Sequence, residues 1–294
     1  MTSKETGPVL RAATRGSALA RWQTAHIAEL LGRAASVEFV LVTTAGDRQA
    51  DTPISALGGK GVFVKEVQAA VLDGRADFAV HSAKDLPAVT PEGLVLAAVP
   101  RRADPRDVLV GCGLSDLPEG GLVATGSARR RVQLRELRPD LRFAELRGNI
   151  GTRLAKAADY DAVVMAKAAL DRLGEHPPVV DVLDCEAMVP QVGQGALAVE
   201  CRADDHRVSS LVAAIQDPVT RREVDAERAF LATLGGDCSL PAGAHAHVRG
   251  DTLIMRAVLA DGPDGRCHTV VGEGDDGEAL GQDLARQLLD RVAR

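Results

Sequence analysis

The sequence predicts an α/β protein of two similar lobes, followed by a small α+β domain with a three-stranded antiparallel sheet. Three observations lead there. Strand-like and helix-like segments alternate through most of the chain, the pattern of a largely parallel sheet covered by helices. A strand that runs through Gly-Ser into a helix occurs twice, as "ATRGSALARWQ" (13–23) and "ATGSARRRVQ" (124–133). From about residue 219 the alternation gives way to a helix, three strands and a closing helix. A chain of 294 residues also exceeds what one core ordinarily serves, which favours two or three domains.

The elements follow in order. "VLRAAT" (9–14) is a strand, and 18–32 a helix with Ser17 as its cap. "VEFVLVTT" (37–44) is a strand, 63–74 a helix ended by Gly74, and "ADFAVHS" (76–82) a strand. "PRRADPRD" (100–107) has the proline and charge content of a linker. Beyond it lie a strand at 122–126, a helix at 128–137, and strands at 142–147 and 160–166. "TRREVDAERAFLATLG" is a helix that leads into "GGDCSLPAG" (235–243), an irregular loop. "GAHAHVRG", "TLIMRAVLA" and "RCHTVVGE" are strands, the last two joined by "DGPDG", and 277–293 is a helix. The expected division is 1–103 with 197–218 as the first lobe, 104–196 as the second, and 219–294 as the third domain.

Composition excludes several functions. A net charge of −6 and only seven aromatic residues argue against nucleic-acid binding. No apolar run approaches the ~20 residues a bilayer requires, and the start lacks the apolar core of a signal peptide. The five cysteines are scattered and never form a C-x-x-C pair, as in reduced cytoplasmic proteins, and no metal is expected. "GQGALA" (193–198) fits a dinucleotide fingerprint but leads into a strand-like run. "GEGDDG" (272–277) carries an acidic pair that would repel a pyrophosphate. His245 and His247 have no third ligand in view and read as solvent-facing strand residues.

"SARRRVQL" places Arg129, Arg130 and Arg131 in the first turn of a helix, against the macrodipole at ~0.3–1 kcal/mol each. Either this is a solvated basic face, or a bound anion reconciles charge and dipole. Arg15, Arg147 and Arg153 fall at comparable turns, and arginine forks suit a ligand rich in carboxylates. Asp85, in "VHSAKDLP", follows a strand and precedes a proline. It reads as a turn former, or as the group an α/β sheet presents to its ligand. Cys238 lies on a glycine-flanked loop, where reactivity rather than packing explains a thiol.

"LGGKGVFVKE", "AVHSAKDLP", "DPRD", "LRGNIGTRL", "VGQGALAVECR" and the cysteine loop together resemble the porphobilinogen deaminases (hydroxymethylbilane synthases), in order and spacing, over roughly residues 9 to 290. The resemblance implies lobes like those of type II periplasmic binding proteins and a cytoplasmic monomer. It also implies a transferase that joins four porphobilinogen units on a dipyrromethane primer, with loss of ammonia, and hydrolyses off the linear tetrapyrrole. Cys238 matches the cysteine that carries the primer through a thioether. Asp85 matches the catalytic aspartate. Ser82, Lys84, Asp85, Thr125, Ser127, Arg129, Arg130 and Arg153 match primer-binding positions. Arg15, Ser17, Lys60, Phe63, Arg147, Arg153 and Arg172 match substrate-binding positions, with the glycine segment around Lys60 as a mobile lid. Two departures stand out. Asp237 precedes the cysteine and raises its thiol pKa by like-charge repulsion, and Gly126 replaces a serine at the second-lobe turn. The rival is a two-lobed carboxylate-binding protein without catalysis, which leaves Asp85 and Cys238 unexplained.

Overall fold

A computed structural model describes residues 7–48, 63–236 and 240–293. From the N-terminus, β1 (Val9–Arg15) feeds α1 (Ala18–Leu31), β2 (Ser36–Val42), the single turn α2 (Ala45–Arg48), α3 (Lys65–Leu72), β3 (Phe78–Ser82) and β4 (Leu94–Ala98). The chain then crosses into β5 (Asp107–Val110), β6 (Leu122–Ala124), α4 (Ala128–Leu137), β7 (Arg142–Ala144), α5 (Ile150–Ala155), β8 (Ala162–Ala166), α6 (Lys167–Leu173) and β9 (Val180–Leu183). It returns as β10 (Leu197–Arg202) and α7 (His206–Ala213). It ends in α8 (Pro218–Thr233), β11 (Ala242–Arg249), β12 (Thr252–Ala260), β13 (Cys267–Gly274) and α9 (Gly277–Val292).

The two larger sheets share one plan. Their strand orders are β2-β1-β3-β10-β4 and β7-β6-β8-β5-β9. In each, a first strand lies parallel to two neighbours, β1 to β2 and β3, β6 to β7 and β8. The strand that arrives from the other lobe, β10 or β5, runs antiparallel to both of its neighbours. The sheets are therefore largely parallel, as expected, with one reversed strand each. Those reversed strands are buried along most of their length, and their sequences, DVLV and LAVECR, are mostly apolar for that reason, with Asp107 and Glu200 as buried exceptions. The third sheet, β11-β12-β13, is antiparallel throughout. It packs on α8 and α9 through Phe230, Leu253, Met255, Leu284 and Leu288, all at most 1% exposed.

The two crossings between lobes are stitched to each other. Ala103 donates its N–H to Gly195 O at 3.0 Å, and Arg102 Nε donates to Gln194 O at 2.8 Å. Gly195 has φ +87° and lies so close that a Cβ there would meet Ala103 O at 2.5 Å. Gly193, at φ +72°, likewise approaches the backbone of Ala83 and Lys84. Both glycines of "GQGALA" thus serve backbone contact where two chain crossings meet a turn, and the dinucleotide match is spurious.

Glu227, on α8 and 0% exposed, locks this junction to the third domain. Its carboxylate takes both nitrogens of the Arg102 fork, at 2.6 and 3.1 Å, and accepts from the Gly193 and Ala246 backbone N–H groups at 2.7 and 2.9 Å. Every oxygen lone pair worth satisfying is used, which is what makes a buried charge tolerable. His245, expected at the solvent face, is instead half-buried on β11, and burial pulls its pKa down to about 4. His247 is exposed, as expected, and no group of three metal-ligating side chains exists among the described residues.

Glu227→Ala strands the buried Arg102 guanidinium, so urea denaturation should show a loss of about 3–5 kcal/mol. Glu227→Gln, which keeps the packing, should lose less.

Candidate active site

The strand ends of both lobes face one cleft. On the first-lobe side it is lined by Arg15, Ser17, Gln23, Phe63, His81, Ser82 and Asp85, among others. Arg15 ends β1, and Ser17 caps α1 by accepting from Ala20 N at 3.3 Å. Ser82 ends β3, and its hydroxyl accepts from Gln23 Nε2 at 2.7 Å. A single 3-10 turn, Ala83–Asp85, then swings Lys84 and Asp85 toward the second lobe. Asp85 has no ion-pair or hydrogen-bond partner among the described residues.

Arg15 is already engaged. Its guanidinium pairs with Asp47, with Nε 3.1 Å from Oδ1, and its Cζ lies 4.3 Å from the centre of the Phe63 ring. Burial pushes the Asp47 carboxyl up, but hydrogen bonds from Arg15 and Thr44 outweigh it and hold the group below its ordinary range. Asp47 is a participant that sequence reasoning missed.

The arginines opening α4 answer the question of their anion in two ways. Arg129 and Arg130 are 2% and 7% exposed and both grip Asp107 at 2.7 Å. Arg129 also donates to Val189 O at 2.6 Å, and Arg130 to Val164 O at 2.9 Å. Asp107, fully buried, is held well below the usual carboxylate range, because the two arginines outweigh its desolvation. Arg131 turns outward to Glu145 at 2.7 Å. The compensating anion for this helix start is thus largely internal, and Ser127 adds an ordinary cap on Arg130 N. Thr125, 1% exposed, accepts from Ser127 N at 3.2 Å.

Gln194 ties the halves together. Its Nε2 donates to Asp107 Oδ1 at 2.9 Å and to Pro105 O at 2.7 Å, while its Oε1 accepts from Lys84 Nζ at 3.2 Å. Burial, then repulsion from Arg130, pulls the Lys84 pKa down from 10.5 to about 8, against the pull of Asp85 and Asp107. Arg153, near the start of α5, donates to Gly148 O at 2.8 Å. Burial and repulsion from Arg130 and Arg147 lower its pKa to about 10. Arg147 lies in the loop between β7 and α5, because β7 stops at Ala144 short of the expected strand end. Arg172 donates to Gly195 O at 2.7 Å and lies 5.9 Å from the Trp22 ring centre, while burial lowers its pKa to about 10.

Cations thus outnumber carboxylates here. Among the described residues, Arg15, Lys84, Arg129, Arg130, Arg147 and Arg153 face Asp47, Asp85 and Asp107, and burial, then repulsion from Arg130, lowers the pKa of Lys84 and Arg153. Such a surplus is costly unless a ligand brings negative charge. A second small cavity on the other side of Arg129 is lined by Ser127, Gln191, Val192, Leu231, Leu240 and Ala242, and the buried Arg129 Nε has no partner among the described residues. In sequence, Leu231 and Leu240 lie on either side of Cys238. Cys238, Asp237 and Lys60 themselves, and the proposed lid, lie outside the described residues.

Comparison with known proteins agrees with this geometry. The family model "Porphobilinogen deaminase, dipyromethane cofactor binding domain" matches residues 10–210, and "Porphobilinogen deaminase, C-terminal domain" matches residues 221–290. The chain belongs to the porphobilinogen deaminase family. Porphobilinogen deaminase of Syntrophobacter fumaroxidans is 44% identical over 98% of this chain and 97% of its own. That of Acidothermus cellulolyticus is 47% identical over 98% and 91%, and that of Syntrophus aciditrophicus 47% over 97% and 96%. Within a porphobilinogen deaminase, Gly126 acquires a local reason. A Cβ there would meet Leu146 O at 3.1 Å and Glu145 Oε2 at 3.3 Å, so the Glu145 carboxylate, paired with Arg131, crowds the space a serine would need.

The Lys84 pKa gives a signed expectation. Its folded value lies below the ordinary one, so the charged form is penalised in the folded state below about pH 8, and the penalty fades between 8 and 10.5. Lys84→Met should therefore gain most over the parent below pH 8, with the gap in denaturation midpoint narrowing as pH rises toward 10.5.

Proposed function

We propose that this chain is a hydroxymethylbilane synthase acting on porphobilinogen as a cytoplasmic monomer, without nucleic-acid or membrane partners. It adds four units head-to-tail to a dipyrromethane held on Cys238, releases one ammonia per unit, and hydrolyses off the linear tetrapyrrole. The domain division is 1–103 with 197–218, 104–196 and 219–294, and the site residues are those matched above. The observation that carries the proposal is Asp85, without a partner among the described residues, in a cleft where the described cations outnumber the described acids.

The residues present suit the primer. Arg129 Nε, without a partner among the described residues, Ser127 and the small cavity they line with Leu231 and Leu240 offer donors and room. Ser82, Lys84, Thr125, Ser127, Arg129, Arg130 and Arg153 would hold it. When bound, the dipyrromethane supplies the free pyrrole carbon from which the chain grows.

Porphobilinogen carries an acetate and a propionate, and Arg15, Ser17, Arg147, Arg153 and Arg172 bind them as forks and donors. Arg15 must trade Asp47 for a substrate carboxylate, which keeps the fork neutralised before binding. Phe63, already against Arg15, packs on the pyrrole, and Lys60 adds a cation. Asp85 stabilises the cationic pyrrole left when ammonia departs, and holds pyrrole N–H groups in line for attack.

Turnover assays should show one ammonia released per porphobilinogen consumed. Asp85→Ala should fold normally, by circular dichroism and melting temperature, yet lose turnover by at least about 10²-fold. Near-normal activity in that variant removes Asp85 from the reaction.

A further inference from the structure

One buried pair in the cleft wall has no part in the chemistry above. His81, on β3, and Glu200, on β10, have side chains 4% and 1% exposed, with His81 Nε2 lying 3.2 Å from Glu200 Oε2. The same carboxylate oxygen accepts from Gln68 Nε2, on α3, at 2.8 Å, while Oε1 is buried without a partner among the described residues. The His81–Glu200 contact is off the line of a good hydrogen bond, so His81 Nε2 is also short of a partner. Two buried polar groups in this state are costly for a purely structural tie between strands. Yet His81 lines the same cleft as Asp85 and Arg15.

We propose that His81 and Glu200 form a proton-holding pair that takes up the ring proton released at each condensation. The inference rests on the function proposed above. Each coupling leaves the attacked ring carbon tetrahedral and the ring cationic. Its C–H bond then breaks, the electron pair restores the aromatic ring, and the proton needs an acceptor. Glu200 Oε2, 3.2 Å from Nε2, is placed to receive the proton of that nitrogen in a hydrogen bond once a small ring rotation aligns them, which leaves Nδ1 as the acceptor. The imidazolium formed is stabilised by the carboxylate behind it. The proton then passes to the ammonia expelled in the same cycle, which leaves as ammonium, so atoms and charge balance without an oxidant or reductant.

Among the described residues, the charged groups around the pair are few. Glu200 faces His81 from β10, and Arg228 on α8 faces Glu200 while donating to Thr90 Oγ1 at 3.1 Å. Arg15 and Asp85 share the cleft wall, and Lys84 lies one residue before Asp85. Burial pushes the Glu200 carboxyl up, but His81 and Gln68 outweigh it and hold it below its ordinary range, consistent with an ionised partner for an imidazolium.

His81→Gln keeps a donor toward Glu200 but cannot accept the ring proton. In the primer-loaded enzyme, kcat for this variant should fall by about 10²-fold. The acid limb of its pH profile should vanish while the melting temperature stays near that of the parent. Glu200→Gln should shift the same limb to lower pH. An unchanged pH profile in both variants, in a parent that does consume porphobilinogen, overturns the pair's role. A parent that consumes none refutes instead the function on which it rests. Independently of activity, nitrogen-15 histidine spectra should show the His81 ring protonated at Nε2 and titrating with the acid limb. A ring that holds one state from about pH 5 to 9 contradicts the proposal. Should His81→Gln fail to fold, His81→Asn and those spectra decide the question.

Discussion

Two lengths of chain must pass each other between the lobes, and the rest of the molecule is arranged around making that passage dry. Residues 102–107 and 190–196 lie against one another, and the charges buried with them are each hydrogen-bonded within the protein. Glu227 satisfies Arg102, Asp107 satisfies Arg129 and Arg130, and Gln194 spans from Asp107 to Lys84. This matched set holds the turn bearing Asp85 at a fixed place between two sheets. The cleft in front of it is unmatched. The contrast between charges tied within the protein behind the turn and a carboxylate, Asp85, without a partner among the described residues before it separates scaffold from site.

The same contrast explains why the lobes repeat. In each sheet the strand that crosses over enters antiparallel next to the third strand of a parallel trio, so the strand ends at Arg15 and Ser82 in one lobe correspond to those at Ala124 and Ala166 in the other. A ligand lying between them meets helix starts and arginine forks from both sides. The third domain contributes Leu231, Leu240 and Ala242 to a small cavity that Ser127 and Arg129 also line. A tethered starter and a moving tip suit three bodies better than one rigid pocket.

Much of this was legible in the residues. The alternation fixed the α/β class, the Gly-Ser turns marked the paired lobes, and the arginines in the first turn of α4 flagged an electrostatic oddity. What the pattern did not reveal was that Asp107 answers two of those arginines from within. An aspartate opening the apolar strand "DVLV" was the available sign, since a charge there is tolerable only when paired. The short elements β4, β5, β9, α6 and α7 also went unnamed, because runs of four to eight residues carry little periodicity. Strand ends at 125–126 and 145–147 were drawn too long, because the residues there bend away to serve the cleft. Asp47 and Glu227 escaped notice because their partners, Arg15 and Arg102, are remote in sequence.

The central claim is that the cleft's excess of guanidinium groups exists for an acidic primer joined to residue 238. Intact-mass spectrometry of the purified protein under denaturing conditions tests it most directly. The account predicts a mass above that of the polypeptide by one dipyrromethane unit, lost in Cys238→Ser and retained in Cys201→Ser. A parent protein of bare polypeptide mass that nevertheless turns over porphobilinogen, or an adduct that survives Cys238→Ser, contradicts it.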